Sequence, residues 1–392
     1  MPVRVIHTAD IHLGRRFPSL DSEAEKLRAA DVVNVFNELA DYVIKNKINI
    51  LMIAGSLFDK MHPNRETVST ALSAFGRIHE AMPSTRIVLT PGQEELVAEK
   101  DGSSDCALSI FDHLSYVKVM GTTEDPEKVV FEFDGQKVMI ASSQAAFFFS
   151  EAFSRRRIPL PRDAAGIFLM CAYSRRQGLI NIEDELLRER VLDPLRDRGY
   201  QYAALGHKNK FQTLTAGDFT AIYPGSLERF NYELDRERKF FVQFEISGGK
   251  IQQLTPVRSS ARPLEYVSLT FSAGDADIAK SLEDTLRRAK KEKALHIILN
   301  GQISLNEFNS FMKGETIKKL REQFAFAHVE NRLALVDAGE EYRFDALRVN
   351  SPAQEFERYV EREIAAAQDR GDEVRLLKEL LEMGVKEIEE GL

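Results

Sequence analysis

A short strand, Val3 to His7, runs directly into Thr8-Ala9-Asp10-Ile11-His12-Leu13-Gly14. Asp-x-His at the tight turn after a strand sets a carboxylate and an imidazole together at the strand's carboxyl edge. An oxygen/nitrogen site for a divalent cation begins this way. Further along come Gly55-Ser56-Leu57-Phe58-Asp59, Gly92-Gln93-Glu94-Glu95, Cys171 at the end of an apolar run, and Gly206-His207-Lys208-Asn209. Taken one at a time these residues have plainer uses. Asp10 and His12 suit a turn cap, Asp59 an anchor for the loop that follows, and Cys171 an inert core thiol.

The elements that must hold these residues are legible from periodicity. Helices are expected around Asp31 to Asn46 and over Arg65 to Ala81, with buried strands at Ile48 to Ala54 and Arg86 to Thr90. Two alternating runs, Val129 to Phe133 and Lys137 to Ser142, flank Asp134-Gly135, a strong hairpin signal. Strands follow at Gly166 to Met170, Tyr202 to Leu205, Ala221 to Pro224 and Phe240 to Ile246. This order predicts an α/β fold, a two-sheet β-sandwich flanked by helices. After Ser259-Ser260-Ala261-Arg262-Pro263 a strand, helix, strand, helix, strand pattern runs through Tyr266 to Phe271, Ile278 to Lys291, Leu295 to Leu299, Met312 to Gln323 and Phe326 to Val329. It makes a small α/β capping domain. Three domains are therefore expected, over 1–258, 259–350 and a helical C-terminal tail at 351–392.

Composition narrows the class. With 392 residues, 43% hydrophobic and 29% charged, the chain reads as a soluble globular protein. No apolar run approaches the ~20 residues of a bilayer span, and no signal segment precedes the first strand. A cytoplasmic protein with no membrane partner is the expectation. Two cysteines, Cys106 and Cys171, argue against a disulfide framework. The net charge of −8 is concentrated in the tail, where twelve Asp/Glu face six Lys/Arg from Ser351 to Leu392. The near-neutral remainder is compatible with nucleic acid binding.

Six segments in order carry a resemblance: Asp10 to Gly14, Ala54 to Asp59, Thr90 to Glu95, Phe168 to Cys171, Ala204 to Asn209, and Tyr223-Pro224-Gly225-Ser226-Leu227-Glu228-Arg229. Together they resemble the calcineurin-like metallophosphoesterases, and more narrowly the SbcD-type nuclease subunit of DNA double-strand-break repair complexes. The resemblance implies metal ligands at Asp10, His12 and His207, which keep the family's residue types. It also implies that other ligand positions are changed. Ser56 stands where the family has the bridging aspartate, and Gln93 and Glu94 stand where it has asparagine and the histidine that assists at the scissile phosphate. Cys171 and Asn209 each replace a liganding histidine. A neutral hydroxyl cannot supply the bridging charge that holds two dications, and Glu94 beside a phosphate would repel it.

The resemblance thus implies an SbcD-like subunit with impaired or lost two-metal chemistry, acting in DNA-end binding and ATPase-complex assembly. An alternative is an active, manganese-dependent phosphodiesterase with a rewired single-metal site, Glu94 or Glu95 serving as added ligand or base. A third reading is an interaction protein whose cleft holds a small anion. Arg155, Arg156, Arg157, Arg175 and Arg176 are candidate contacts to the DNA backbone. The resemblance implies that the tail clasps the coiled coil of an SbcC-type ATPase through Phe356, Tyr359, Val360, Leu377, Leu380 and Leu381. It further implies a homodimer, with Pro63 to Ala81 and Ser103 to His113 as the candidate contact.

Overall fold

The computed structural model describes residues 1–17, 22–98, 104–123, 125–144, 159–161, 163–172, 184–230, 237–272, 280–282, 284, 287, 294–304, 308, 326–335, 360, 364 and 381. Strand β1 (Val3–Thr8) is followed by helix α1 (Ser22–Lys45), β2 (Ile50–Ala54), α2 (Arg65–Ala81) and β3 (Arg86–Thr90). Every residue of β2 is buried, as expected for a strand covered on both faces. Helix α2 starts where the Asn64 side chain accepts the Thr67 N–H at 2.8 Å. Its buried Ala71, Ala74, Phe75 and Ile78 recur at helical spacing. It ends at Met82, which precedes Pro83 and is disfavoured in the helical region.

Two short strands, β4 (Leu96–Ala98) and β5 (Ser104–Cys106), pair with each other before β6 (Val117–Val119). The hairpin β7 (Glu127–Phe133) and β8 (Gln136–Ser142) turns at Asp134-Gly135. Then come β9 (Ala164–Cys171), a helical stretch from Asp184 to Asp197, β10 (Tyr202–Gly206), β11 (Gln212–Ala216), β12 (Phe219–Tyr223), β13 (Phe240–Ser247) and β14 (Lys250–Arg258).

These strands form two six-stranded sheets, ordered β14-β13-β1-β2-β3-β6 and β11-β12-β10-β9-β8-β7. In the first, β1, β2, β3 and β6 are parallel; in the second, β8, β9, β10 and β12 are. Val5, Met52, Val88, Ile140, Ile167, Ala204 and Val242 share the apolar layer between the sheets. Helices α1 and α2 cover the outer face of the first sheet through Phe36, Leu39, Val43, Phe75 and Ile78. Leu187, Val191 and Leu195 cover the second. The sandwich expected from the sequence is the observed architecture.

Some boundaries differ from expectation for physical reasons. Helix α1 begins at Ser22 rather than near Asp31, because Arg28 and Asp31, which interrupt the apolar pattern, are buried as an ion pair inside it. Strand β14 escaped detection: no residue of this edge strand is buried, it contains Pro256, and its pairing with β13 shifts register between Gln243 and Glu245.

By internal contacts the chain divides into two compact units. One comprises Met1–Glu265, Lys290–His296 and Gln323–Ala327; the other comprises Tyr266–Ala289, Ile297–Glu322 and His328–Leu392. A three-stranded sheet runs in the order β15 (Leu264–Phe271), β16 (Ala294–Ile303), β17 (Phe326–Leu335). Of the helix expected at Ile278 to Lys291, the described residues 280–282, 284 and 287 are helical; the second, at Met312 to Gln323, lies outside the described residues. In the tail, Val360, Ile364 and Leu381 are helical, while Phe356, Tyr359, Leu377 and Leu380 lie outside them.

Candidate functional site

Parallel strands gather their carboxyl ends at one edge of each sheet, where open α/β sheets present their reactive groups. Here Asp10 follows β1, Ser56 follows β2, Gln93 and Glu94 follow β3, Cys171 ends β9, and His207 follows β10. Strand ends crowd together at this edge, both between the sheets and within the first. A β-carbon on Gly206 would overlap the Ala54 carbonyl, and one on Gly92 would strike the main chain and hydroxyl of Ser56. Only glycine permits these approaches.

Main-chain hydrogen bonds shape the loops. The amide of Asp10 donates to the Gly55 carbonyl at 3.1 Å, and those of Ile11 and His12 both donate to the Ser56 carbonyl, at 2.9 and 2.8 Å. Leu13 donates to Leu57, and Asp59 donates back to Leu13. Four residues other than glycine are held in the left-handed region: Asp10 (φ 50°), His12 (52°), Ser56 (51°) and His207 (101°). Such conformations cost about 1–3 kcal/mol each, persist only where the surroundings impose them, and concentrate at functional sites.

The side chains form three linked groups. Asp10, buried, accepts the His207 amide with both oxygens, at 3.1 and 3.0 Å. Burial pushes its pKa up to about 7, while His12, the His207 amide and Lys239 pull it the other way. Ser56 Oγ donates to Glu94 Oε2 at 3.0 Å. His12 Nδ1 lies 3.0 Å from Asp59 Oδ1, and that same oxygen accepts Arg15 Nη1 at 3.0 Å. Burial disfavours the His12 cation, but its bond to Asp59 and the charges of Asp10 and Glu94 outweigh this and raise its pKa. The aspartate fixes the ring's orientation and leaves Nε2 facing away from it.

Several neighbours take roles that local sequence did not reveal. Glu95, an added carboxylate in the rewired-metal reading, instead braces the loop. It is fully buried and accepts the amides of Phe58 at 2.7 Å and Gly92 at 2.8 Å. Burial raises its pKa to about 7. Cys171 is buried, and its thiol pKa is pushed well above the usual value by burial, then by Asp10, Glu94 and Glu95. Asn209 has an exposed side chain; its carbonyl accepts Lys239 Nζ at 2.8 Å, and the same ammonium donates to Ser226 Oγ at 2.9 Å. Gln93 is half-buried beside Glu94. Asp59, expected as a loop anchor, also joins His12 to Arg15. Arg155, Arg156, Arg157, Arg175 and Arg176 lie outside the described residues.

The donor set can be tested against a divalent metal centre. Two dications need a shared anionic bridge, and position 56 offers a hydroxyl already donating to Glu94. Both Asp10 oxygens are turned to a backbone amide. Among the described residues, no group of three or more His, Cys, Asp or Glu is placed to hold a metal ion. The residues present do not fit a bridged pair of dications.

Comparison with known proteins finds similar sequences. The chain is 25% identical over 261 residues to the DNA double-strand break repair protein Mre11 of Methanopyrus kandleri, covering 63% of this chain and 55% of that protein. It thus spans little more than half of that relative. The Mre11 of Sulfurisphaera tokodaii is 25% identical over 331 residues, covering 83% of this chain and 78% of the relative. The SbcD component of the nuclease SbcCD of Rhodobacter capsulatus is 30% identical over 93 residues, covering 24% of this chain and 22% of the relative. No family model matches the chain.

Proposed function

Because the chain is a homologue of the SbcD/Mre11 type, within the calcineurin-like metallophosphoesterases, we propose that it is a DNA-repair subunit that binds DNA ends without two-metal cleavage. The observation that carries this reading is the 3.0 Å bond from Ser56 to Glu94. A neutral donor occupies the position of the bridging ligand, and a carboxylate lies against it where a phosphate would need positive charge. Replacing a bridge by a hydroxyl removes the attraction that opposes repulsion between two dications, and a fixed carboxylate destabilises an incoming phosphodiester. Loop shape is held by main-chain bonds and by the Asp10 and Glu95 carboxylates, none of which needs a metal. Assembly with an SbcC-type coiled-coil ATPase through the residues after 351, pairing of two copies through the region from Pro63, and the three-domain division belong to the same proposal.

A second reading has one observation in its favour. A carboxylate behind a histidine, as Asp59 stands behind His12, is the arrangement that orients a ligating imidazole. A single manganese ion held by Asp10, His12 and His207 with Glu94 would use it.

Calorimetric titration with manganese, run beside a chelator-controlled cleavage assay on blunt duplex ends, separates the two. The expected result is no tight manganese site and no metal-dependent cleavage, with duplex binding that weakens as salt rises. Tight manganese binding lost on Asp10→Ala, together with cleavage abolished by chelator, would establish the second reading instead.

A further inference from the structure

Arg15 follows the Asp10-to-Gly14 turn and shares one carboxylate oxygen with His12. Its Nη1 donates to Asp59 Oδ1 at 3.0 Å, and its guanidinium carbon sits 4.9 Å from the centroid of the Phe230 ring. The ring also meets His12 edge-on, with centroids 5.0 Å apart. The main-chain amide of Arg15 donates to the His12 carbonyl, and the loop before it is tied to residues 56–59 by the bonds described above. The guanidinium is therefore oriented from two sides, by an ion pair and by a ring face. Its side chain remains 36% exposed. Among the described residues its Nε and Nη2 donate to no protein acceptor. The neighbouring Arg16 differs: its Nε is bonded to Glu25 at 3.0 Å and its side chain is 71% exposed.

An arginine with two donors left over, fixed within about 6 Å of an imidazole through a shared carboxylate, matches the fork that recognises a phosphodiester oxygen pair. Preorientation matters because an exposed, freely rotating cation loses side-chain entropy on binding, whereas this one has lost much of it already. The geometry points to Arg15 as a phosphate-contacting residue of the cleft, gripping the backbone of a DNA end beside His12. The inference rests on the DNA-end-binding reading proposed above, and assigns that reading a contact among residues the sequence did not single out. Glu94 accepts from Ser56 rather than from Arg15, so it does not occupy the guanidinium donors.

The test is fluorescence anisotropy with a labelled blunt-ended duplex, titrated with the full chain at several salt concentrations. Wild type is compared with Arg15→Ala, Arg15→Lys and the control Arg86→Ala, whose guanidinium bonds the carbonyls of Pro83 and Thr85. Arg15→Ala is expected to weaken binding about fivefold to tenfold and to lower the slope of log affinity against log salt by about one. Arg15→Lys should keep the slope but lose part of the affinity, because an ammonium cannot reproduce the fork. Arg86→Ala should bind as wild type. Thermal melting of each variant establishes that it is folded. If Arg15→Ala binds with unchanged affinity and slope while wild type binds well, the assignment of Arg15 falls and the DNA-binding reading stands. If wild type fails to bind the duplex at all, both fall.

Discussion

Two buried polar centres in the first unit are built on opposite principles. One is the cleft edge around Asp10, Ser56 and Glu94. The other joins Arg28 and Asp31 of α1, Glu228 and Arg229 of the segment after β12, and Arg262 before β15. Arg28 lies between Asp31 and Glu228, 3.3 Å from the latter, and donates to the Arg229 carbonyl. Arg262 takes both oxygens of Asp31, at 2.7 and 2.6 Å, while its amide and that of Arg229 fill the Glu228 carboxylate. Opposite charges are interleaved there and each carboxylate oxygen meets a donor. At the cleft edge, carboxylates outnumber fixed cations, two of them have pKa values pushed up to about 7, and four residues hold left-handed backbone. In the second centre each charge is matched, whereas the first holds carboxylates in excess of cations.

The comparison is open to attack at both ends, and the largest effect belongs to the braced centre. Arg28→Met leaves Asp31 and Glu228 short of a cation and is expected to cost about 3–5 kcal/mol in urea unfolding. A loss under about 1 kcal/mol would show that the network is not cooperative. Glu95→Ala strips the Phe58 and Gly92 amides of their acceptor and should cost about 2–3 kcal/mol at pH 5. Glu95→Gln, which keeps an acceptor, should cost less.

At the cleft the sign reverses. The folded-state pKa of Asp10 lies near 7, above its ordinary 3.8, so its contribution is fully present below about 3.8 and is lost as pH rises through about 7. Asp10→Asn should therefore be more stable than wild type at pH 8 by about 4 kcal/mol, with the gap closing as pH falls towards about 4. A destabilised variant at pH 8 in metal-free buffer would mean the carboxylate is compensated after all. His7 opposes this trend on the acid side, since burial depresses its pKa to about 3 and neutral imidazole is favoured above the ordinary 6.5. The smallest effect belongs to an exposed ion pair: Lys137→Met, removing the pair with Asp163, should leave the urea midpoint essentially unchanged.

Much of this was legible in the sequence because it is local. The Asp134-Gly135 turn, the helix from Arg65 to Ala81 and the strands ending near His7, Ala54 and Thr90 follow from patterns a few residues long. The positions of Asp10, Ser56 and Glu94 at neighbouring strand ends follow from the order of those strands. What escaped notice depends on separation in sequence. Asp59 reaches back 44 residues to Arg15, and Arg262 reaches back 231 to Asp31. Glu95 read as a site carboxylate because nothing in its neighbours says that two amides close over it. The early start of α1 was hidden by the charged pair inside it, since a buried Arg and Asp look like a surface until their partners are known.

The left-handed turns at Asp10, His12, Ser56 and His207 bear on how such a site ages. The Asp10–Leu13 turn is shaped by main-chain bonds to Gly55, Ser56 and Leu57, whereas the His207 amide is held by the Asp10 carboxylate. Exchanging the side chain of His12 or Ser56 alters chemistry while the peptide path survives. A lineage can then cross from one occupant of the cleft to another by single substitutions, without passing through an unfolded intermediate sequence. The same property makes these loops a receptive graft site, where ligand sets can be written in and erased while the surrounding sandwich stays as it is.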